Sequence, residues 1–248
     1  MGKEHFHLRR IGPVQVQSLR KNEDGSVGVM AAAVTRGICE FCGEDFSRRG
    51  IKRHLDSCEQ RTIETHGRKP YYTLSIEGAY ERDYWLYVEI AGDATLADLD
   101  EFLRDIWLEC CGHLSQFRIG REMFLSEGVD RDWGERSMDI AVKNVVQPGL
   151  VFDHEYDFGS TTTLKLTVVS LRLGGSTYKG RIQLLARNIA PDIRCESCGR
   201  QARQFSSEDH TLLCDSCAEE HGDEEERGLP VCNSPRTGVC GYGGDWDY

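Results

Sequence analysis

Apolar residues recur at every second position in two segments near the middle of the chain. The segments contain Tyr72, Leu74 and Ile76, then Leu86, Val88 and Ile90. This period places one face of an extended chain against a core, so both segments are predicted to be β-strands. We expect them to pair antiparallel, with a bend at Gly78.

A helical period follows the second strand. Thr95 is placed to cap the amino terminus of a helix, and Asp98 completes a capping box three residues later. The apolar side chains at helical spacing, which we expect to face the core, are those of Leu96, Leu99, Phe102, Leu103 and Ile106.

Further strands are predicted at 116–120, 152–157, 164–168 and 182–185. Strands that surround one long helix without regular alternation are typical of an α+β domain. We therefore predict one α+β domain over residues 71–190, an antiparallel sheet with helices on one face. Before it, residues 14–30 alternate loosely around a turn at 23–26, which predicts a hairpin or an ordered tail within residues 1–37.

Length and composition favour a globular protein. The chain has 248 residues, of which 39% are hydrophobic, enough for one large domain or two to three small ones. No apolar run approaches the roughly 20 residues that span a bilayer, and the first residues lack the apolar core of a signal peptide. We therefore expect a cytoplasmic protein without membrane association, in which paired cysteines stay reduced and bind metal.

Charge divides the chain into a basic start and an acidic remainder. Residues 1–70 hold 13 Lys and Arg against 9 Asp and Glu, residues 71–194 hold 13 against 20, and residues 195–248 hold 4 against 12. Because phosphate contacts need many cations, the acidic body argues against wrapping long stretches of duplex. Only the first segment has the right sign for nucleic acid, and the acidic end is better suited to a protein partner.

A zinc finger is predicted over residues 38–65. Its candidate ligands are Cys39, Cys42, His54 and Cys58. Two thiolates on a tight turn and two ligands four residues apart at a helix can meet one tetrahedral ion. The spacing resembles the Cys-Cys-His-Cys variant of the zinc finger family, one residue short between the second and third ligands. Phe46 and Ile51 take the places of the two core residues of such a finger.

The predicted finger helix carries four cations. They are Arg48, Arg49, Lys52 and Arg53. A helix with this charge can enter a groove or lie against phosphates, which makes the four residues candidate contacts for RNA or DNA. The alternative is a solvated helix face on a finger that is structural or docks protein, because one finger buries too little surface for sequence-specific DNA binding.

A zinc ribbon is predicted within residues 191–248. Its candidate ligands are Cys195, Cys198, Cys214 and Cys217. Two Cys-x2-Cys pairs separated by fifteen residues have the spacing of a ribbon, with short strands at 200–205 and 210–213 between them. We expect His210 and His221 to stay outside the site. Two zinc ions are expected in all, one for each module.

The remaining cysteines leave alternatives open. Cys232 and Cys240, with or without His221, are candidates for a third metal site, against packing or free thiols. Cys110 and Cys111 follow the predicted helix directly and are expected to be buried structural residues. The acidic run at 219–226 predicts a solvated linker suited to a partner protein. The aromatic tail at 241–248 docks in trans or folds back, and the sequence favours neither.

One cluster in the middle domain allows a catalytic alternative. It consists of His113, Asp153, His154, Glu155 and Asp157. A nuclease or hydrolase could use His113, Asp153 and Asp157 around a divalent cation. The structural alternative is a strand that ends in a turn, with Asp157 capping backbone amides and Phe158 packed inside.

Three stretches carry a family resemblance. They are Thr95-Leu-Ala-Asp-Leu-Asp leading to Ile106-Trp107, Gly112-His113-Leu114-Ser-Gln-Phe117-Arg-Ile-Gly120, and Glu155-Tyr156-Asp157-Phe158-Gly159. They resemble the plasmid pRiA ORF-three-like family of small prokaryotic α+β proteins, some labelled as insertion-element passengers or resolvases. The tail from Leu229 to Tyr242 is similar to the zinc-bearing ends of some relatives. Where relatives continue with an acidic strand containing Trp and His, this chain has Ser160-Thr-Thr-Thr-Leu164. The resemblance implies a fold and no particular reaction.

These patterns together predict a non-catalytic zinc protein that recognises a macromolecule. The basic finger would contact RNA or DNA within a ribonucleoprotein or mobile-element assembly, and the acidic ribbon would contact protein. The alternative is a metal-dependent enzyme acting on nucleic acid, either a nuclease or a recombination accessory.

Overall fold

Ten strands form one large sheet in the computed structural model, which describes residues 35–126, 134–221 and 228–244. In chain order they are β1 (Arg36–Cys39), β2 (Asp45–Ser47), β3 (Lys69–Gly78), β4 (Trp85–Ala91), β5 (Ser115–Ile119), β6 (Glu122–Leu125), β7 (Arg136–Ser137), β8 (Val151–Tyr156), β9 (Thr162–Gly174) and β10 (Ile182–Asn188). Their order across the sheet is β2-β1-β10-β4-β3-β9-β8-β5-β6-β7. Neighbouring strands run antiparallel except β6 and β7.

The alternation that predicted β3 and β4 is confirmed by their register. Leu74 pairs with Val88, and Ile76 pairs with Leu86. The strands predicted at 116–120, 152–157, 164–168 and 182–185 correspond to β5, β8, β9 and β10, of which β9 continues to Gly174. These strands supply most of the main core, so the prediction of an α+β fold with an antiparallel sheet is confirmed.

Helix α2 (Leu96–Leu103) packs against this core, as its periodicity predicted. The amide of Asp98 donates to Thr95 Oγ1 at 3.0 Å, and the amide of Thr95 donates to Asp98 Oδ2 at 2.6 Å, which confirms the capping box. After Leu103 the helix widens into one π-helical turn over Arg104–Leu108. Such turns are found mostly inside helices and at functional sites.

Strand β4 is buried along its whole length because both of its faces are covered. Alternate residues from Leu86 to Ile90 belong to the main core with α2. Trp85 and Tyr87 belong to a second core, which they share with Ile51 and Leu55 of helix α1 (Arg48–Ser57). The predicted finger is therefore built onto the sheet: β1 and β2 extend the sheet beyond β10, and α1 packs beside them.

A separate three-stranded sheet forms the ribbon. It contains β11 (Gln204–Ser206), β12 (Thr211–Leu213) and β13 (Leu229–Pro230) in the order β12-β11-β13, and α3 (Asp215–His221) follows β12. The first two strands overlap the predicted pair, whereas β13 had no sequence signal. After β13 the chain returns to the large sheet, where Ser234, Arg236 and Tyr242 are all buried.

Several predicted segments are described only in part. The hairpin or tail predicted before residue 35 lies outside the described residues. The acidic run is described to residue 221 without the side chain of His221, and the aromatic tail is described to residue 244. Among the helices that are described, none is both long and apolar enough to cross a bilayer.

Candidate metal centres

The first metal cluster lies between β1 and the end of α1. Cys39 ends β1, Cys42 follows in the next turn, His54 lies in the last turn of α1, and Cys58 is the residue after the helix. Their four ligand atoms lie within 4.8 Å of one another. The sulfurs of Cys39 and Cys58 are 4.0 Å apart, and Cys42 Sγ is 3.2 Å from His54 Nε2. The structure thus brings together the four predicted ligands of the finger.

Local contacts explain how α1 delivers His54 to this cluster. Ser47 caps the helix by accepting a hydrogen bond from the amide of Gly50 at 3.2 Å. The ring of Phe46 stacks on the His54 imidazole with a centroid distance of 4.0 Å, which orients it. Ile51 is fully buried, so both core residues predicted for the finger pack where expected.

The second cluster lies in the ribbon. Cys195 and Cys198 stand in the turn before β11, Cys214 follows β12, and Cys217 lies in α3. Their sulfurs also lie within 4.8 Å of one another, and those of Cys198 and Cys214 are 3.5 Å apart. The Arg200 guanidinium donates to Cys198 Sγ at 3.2 Å and lowers the pKa of that thiol to about 6. A thiolate, the form that binds metal, is therefore favoured at neutral pH.

The two clusters share one turn. In each, a glycine follows the second cysteine in the left-handed region, with φ of +73° at Gly43 and +72° at Gly199. The glycine amide donates to the carbonyl of the first cysteine, at 2.8 Å for Cys39 and 2.9 Å for Cys195. Glycine is the residue that adopts this conformation without a steric penalty. The turn closes each Cys-x2-Cys pair onto one point.

The donor sets and their spacing fit a tetrahedral zinc ion. With Zn–S near 2.3 Å and Zn–N near 2.0 Å, tetrahedral geometry places two ligand atoms about 3.5 to 3.8 Å apart. The separations in both clusters fall close to that range. A disulfide would need sulfurs about 2.05 Å apart, and no disulfide joins the cysteines of the described residues. Both clusters can therefore hold a metal ion.

A third group of ligands corrects two predictions. It consists of Cys110, Cys111, His113 and Cys240, whose ligand atoms again lie within 4.8 Å of one another. Cys240 takes part as predicted, but Cys232 does not belong to the group. Cys110 is half-buried and Cys111 is exposed, so the expectation of two buried structural cysteines is wrong. The reason is the loop after the π-helical turn, which carries both thiols to the surface beside the returning C-terminal segment.

The four cations of the finger helix differ in their surroundings. Arg48 forms an ion pair with Glu77 on β3, and its guanidinium also donates to the carbonyl of Arg82 at 3.4 Å. Arg49, Lys52 and Arg53 are exposed. Within the described part of the chain, these three side chains form no ion pair. The structure therefore separates one structural arginine from three cations that are free to meet a ligand.

The candidate catalytic residues are not assembled into one site. Asp153 lies on β8, where it is opposite Arg118 of β5 and Lys165 of β9. Asp157 comes four residues later, which is about 13 Å of extended chain at roughly 3.3 Å per residue. His154 is fully buried, with Nε2 2.6 Å from Asp100 Oδ1. Asp157 Oδ2 forms an ion pair with Arg236 Nη2 at 2.7 Å. The same oxygen lies 3.7 Å from His113 Nε2. Among the described residues, Asp153 and Asp157 share no group of candidate metal ligands.

The structural alternative for this segment holds in part. Asp157 Oδ1 accepts hydrogen bonds from the amides of Gly159 at 2.9 Å and Ser160 at 3.2 Å, so the carboxylate caps the turn as expected. Phe158 is 48% exposed, so the prediction that it packs inside is wrong. Asp157 has a positive φ of 65°, which carries the chain out of the strand before Phe158.

No family model matches the chain, and no curated protein matches it. Among solved structures it is similar to a protein of unknown function, MM3350 from Methanosarcina mazei Go1, at 15% identity and a TM-score of 0.43. That similarity covers 53% of this chain and 76% of the other. The resemblance to the plasmid pRiA ORF-three-like family stays a prediction.

Sequence reasoning missed Arg236. Its side chain is completely buried, and its guanidinium contacts Asp157, Thr162 and Cys110. Nothing near Arg236 in the sequence marks it as buried, because its partners lie between 74 and 126 residues away. A buried arginine needs several acceptors, and only the folded chain reveals them.

Proposed function

We propose that this protein is a non-catalytic, zinc-binding recognition protein. One zinc ion would fold the finger and one the ribbon. The finger helix would contact the phosphates of RNA or DNA, and the acidic ribbon would contact protein in the same cytoplasmic assembly. The observation that carries the proposal is the division of α1 into a buried face and an exposed cationic face.

The cationic face has the geometry of a phosphate contact. Arg49, Lys52 and Arg53 are spaced i, i+3 and i+4, so their side chains are neighbours on one side of the helix. An exposed cation without an internal partner keeps its charge available for an anion. Neutralising phosphates releases counterions, and this release drives binding of nucleic acid independently of sequence.

The opposite face of α1 would keep the cations in a fixed position. Ile51 and Leu55 are buried against the sheet, and His54 reaches the metal cluster. Arg61 donates to the carbonyl of Leu55 and to the Glu89 carboxylate, both at 2.9 Å, and so ties the helix end to β4. A helix anchored in this way loses little conformational entropy on binding.

Contact with phosphates rather than with bases fits the size of the surface. A single finger buries too little area to read a sequence on its own, whereas three cations suffice for a salt-dependent, sequence-tolerant contact. The ribbon supports a different contact, because Asp215, Glu219 and Glu220 are all exposed on or beside α3. Their charge would repel phosphate and is better suited to a basic protein surface.

The test is binding of the full zinc-loaded chain to labelled single-stranded RNA and duplex DNA, measured by fluorescence anisotropy over a range of salt. We expect the logarithm of the affinity to fall with the logarithm of salt with a slope near −2 for single strands or near −3 for duplex, as three contacts require. In the triple variant Arg49→Glu, Lys52→Glu, Arg53→Glu binding should be lost.

The matched control replaces three exposed cations elsewhere, in the variant Arg121→Glu, Lys143→Glu, Lys179→Glu. It changes net charge equally and should reduce affinity only slightly. Equal losses in the two variants would mean that overall charge, and not the finger helix, attracts the nucleic acid. Absence of salt-dependent binding to both probes by the wild-type chain would rule out the nucleic-acid role.

A further inference from the structure

The third ligand group joins two parts of the chain that are far apart in sequence. Cys110, Cys111 and His113 lie in the loop that follows the π-helical turn, and Cys240 lies near the end of the returning segment. Cys240 Sγ is 3.9 Å from Cys111 Sγ and 3.5 Å from His113 Nε2. Both distances are close to the edges of a zinc tetrahedron, about 3.8 Å between two sulfurs and 3.5 Å between sulfur and nitrogen.

The backbone at this group is held in an unusual conformation. Cys240 has φ of +55°, in the left-handed region that non-glycine residues seldom adopt. Such a conformation is energetically unfavourable for a residue with a side chain and persists only where its surroundings impose it. On the other side of the group, Gly112 has φ of +72° and its amide donates to the Glu109 carboxylate at 2.6 Å. The turns at Cys240 and at Gly112 both direct ligand atoms toward the centre of the third ligand group.

The buried guanidinium of Arg236 contacts the third ligand group from the protein interior. Arg236 Nη2 donates to Cys110 Sγ at 3.3 Å and to Asp157 Oδ2 at 2.7 Å, while Nη1 donates to Thr162 Oγ1 at 3.0 Å. The guanidinium also lies over the Tyr156 ring, 4.8 Å from its centroid. Hydrogen bonds of this kind to a ligating thiolate orient it and stabilise its charge.

We propose that Cys110, Cys111, His113 and Cys240 bind a third zinc ion, which clasps the C-terminal segment to the main domain. Three thiolates and one neutral imidazole leave a Zn²⁺ site with one negative charge, and the Arg236 guanidinium, which also pairs with Asp157, donates a hydrogen bond to the Cys110 sulfur. The set has four protein ligands, as in structural zinc sites. The proposal is independent of any contact with nucleic acid.

The third zinc ion would hold a C-terminal segment that already forms hydrogen bonds with the main domain. The Asn233 carbonyl accepts hydrogen bonds from Trp107 Nε1 at 3.0 Å and from Arg187 at 2.7 Å, and Ser234 Oγ donates to the Trp107 carbonyl at 2.7 Å. The metal would attach the end of this segment, at Cys240, to the main domain. Because Cys111 and Cys240 are exposed, the third ion should also leave before the two ions whose ligands are mostly buried.

The experiment counts zinc ions by native mass spectrometry in the full chain purified with zinc and reductant. We expect three ions in the wild type and two in each of the variants Cys240→Ser and Cys111→Ser. The matched control is Cys232→Ser, in the same segment but outside the ligand group, which should retain three. Hydrogen exchange of residues 232–244 should speed up in the first two variants and not in the control.

Two ions in the folded wild type would overturn the proposal, and so would three ions in both Cys240→Ser and Cys111→Ser. A mass 2 Da lower in a wild type with two ions would mean a disulfide between Cys111 and Cys240 in place of the metal, which also contradicts it. Since both variants replace exposed residues, misfolding is not expected, and circular dichroism checks this directly.

Discussion

At the scale of single residues, the most consequential feature of the main core is a polar group within it. His154 is fully buried beneath α2, and its Nε2 lies 2.6 Å from Asp100 Oδ1. Arg104 donates to the other carboxylate oxygen at 2.8 Å. Burial alone would raise the pKa of Asp100, but the hydrogen bond with His154 and the charges of His154 and Arg104 outweigh it and hold that pKa below its ordinary value.

Replacement of Asp100 should therefore destabilise the fold strongly. In Asp100→Asn we expect the free energy of unfolding to fall by about 3 kcal/mol or more at pH 7, because removing one charge of a buried pair leaves the other uncompensated. Urea unfolding measures the loss. Glu101→Gln, an exposed neighbour on α2, is the control and should change stability by less than about 0.5 kcal/mol.

The pH dependence of that difference has a defined sign. A carboxyl whose pKa is lowered in the folded state contributes stability that is fully present above its unfolded pKa, about 3.9, and is lost as pH falls through the folded value. The gap between wild type and Asp100→Asn should thus narrow as pH falls below about 4, where the folded carboxyl takes up its proton. A gap that widens below about pH 4 would contradict this assignment of charge.

At the scale of elements, β1 decides how the finger meets the sheet. β1 pairs with β10 through Gly37 opposite Asn188, and the Trp85 ring lies directly against Gly37. A Cβ at this position would overlap that ring and would lie 2.5 Å from the carbonyl oxygen of Arg187. Neither the central tryptophan nor the strand backbone can move easily, so the absence of a side chain is what allows the contact.

Gly37→Ala should accordingly weaken the attachment of the finger. We expect a loss of about 1–3 kcal/mol in unfolding free energy, typical of overpacking. Zinc bound by Cys39, Cys42, His54 and Cys58 should also transfer faster to a chromogenic chelator. Ile38→Ala, which changes the next and partly exposed residue of the same strand, serves as the control. If both variants released zinc at the wild-type rate, the finger would not depend on β1 for its position.

Elements with local signals were the predictable ones. The alternation in β3 and β4 and the capping box at Thr95 and Asp98 are contained within a few residues each, and the structure confirms them. β1, β7 and β13 are two to four residues long, and they pair with β10, β6 and β11, none of which is joined to them by a short turn. No window of sequence contains that information, so these strands emerge only when the sheet is assembled.

The distinction between local and long-range signals applies to the metal sites as well. The ligands of the finger fall within 20 consecutive residues and those of the ribbon within 23, so spacing alone predicted both. Cys110 and Cys240 are 130 positions apart, and the sequence paired Cys240 with Cys232 because the two are close along the chain. The charge of the finger helix was also visible in the sequence, but the pairing of Arg48 with Glu77 depended on where α1 packs against the sheet.

At the scale of the whole molecule, the finger and ribbon clusters stand within the cores of small modules, apart from the main core of the large sheet. Among the described residues, the core of the sheet around α2 contains no candidate metal ligand except the half-buried Cys110 at its border. The core beneath α1 and the small core of the ribbon both contain the cluster cysteines themselves. We therefore expect the sheet to fold by burial of apolar surface, and the two modules to depend on metal for their structure.

Hydrogen exchange of the full chain before and after complete removal of metal by a chelator under reducing conditions tests this account most directly. We predict that residues 39–58 and 195–217 lose their protection while β3, β4 and β9 keep theirs, and that adding zinc restores the first pattern. Unchanged protection at both modules in a chain shown to be free of metal would contradict the account.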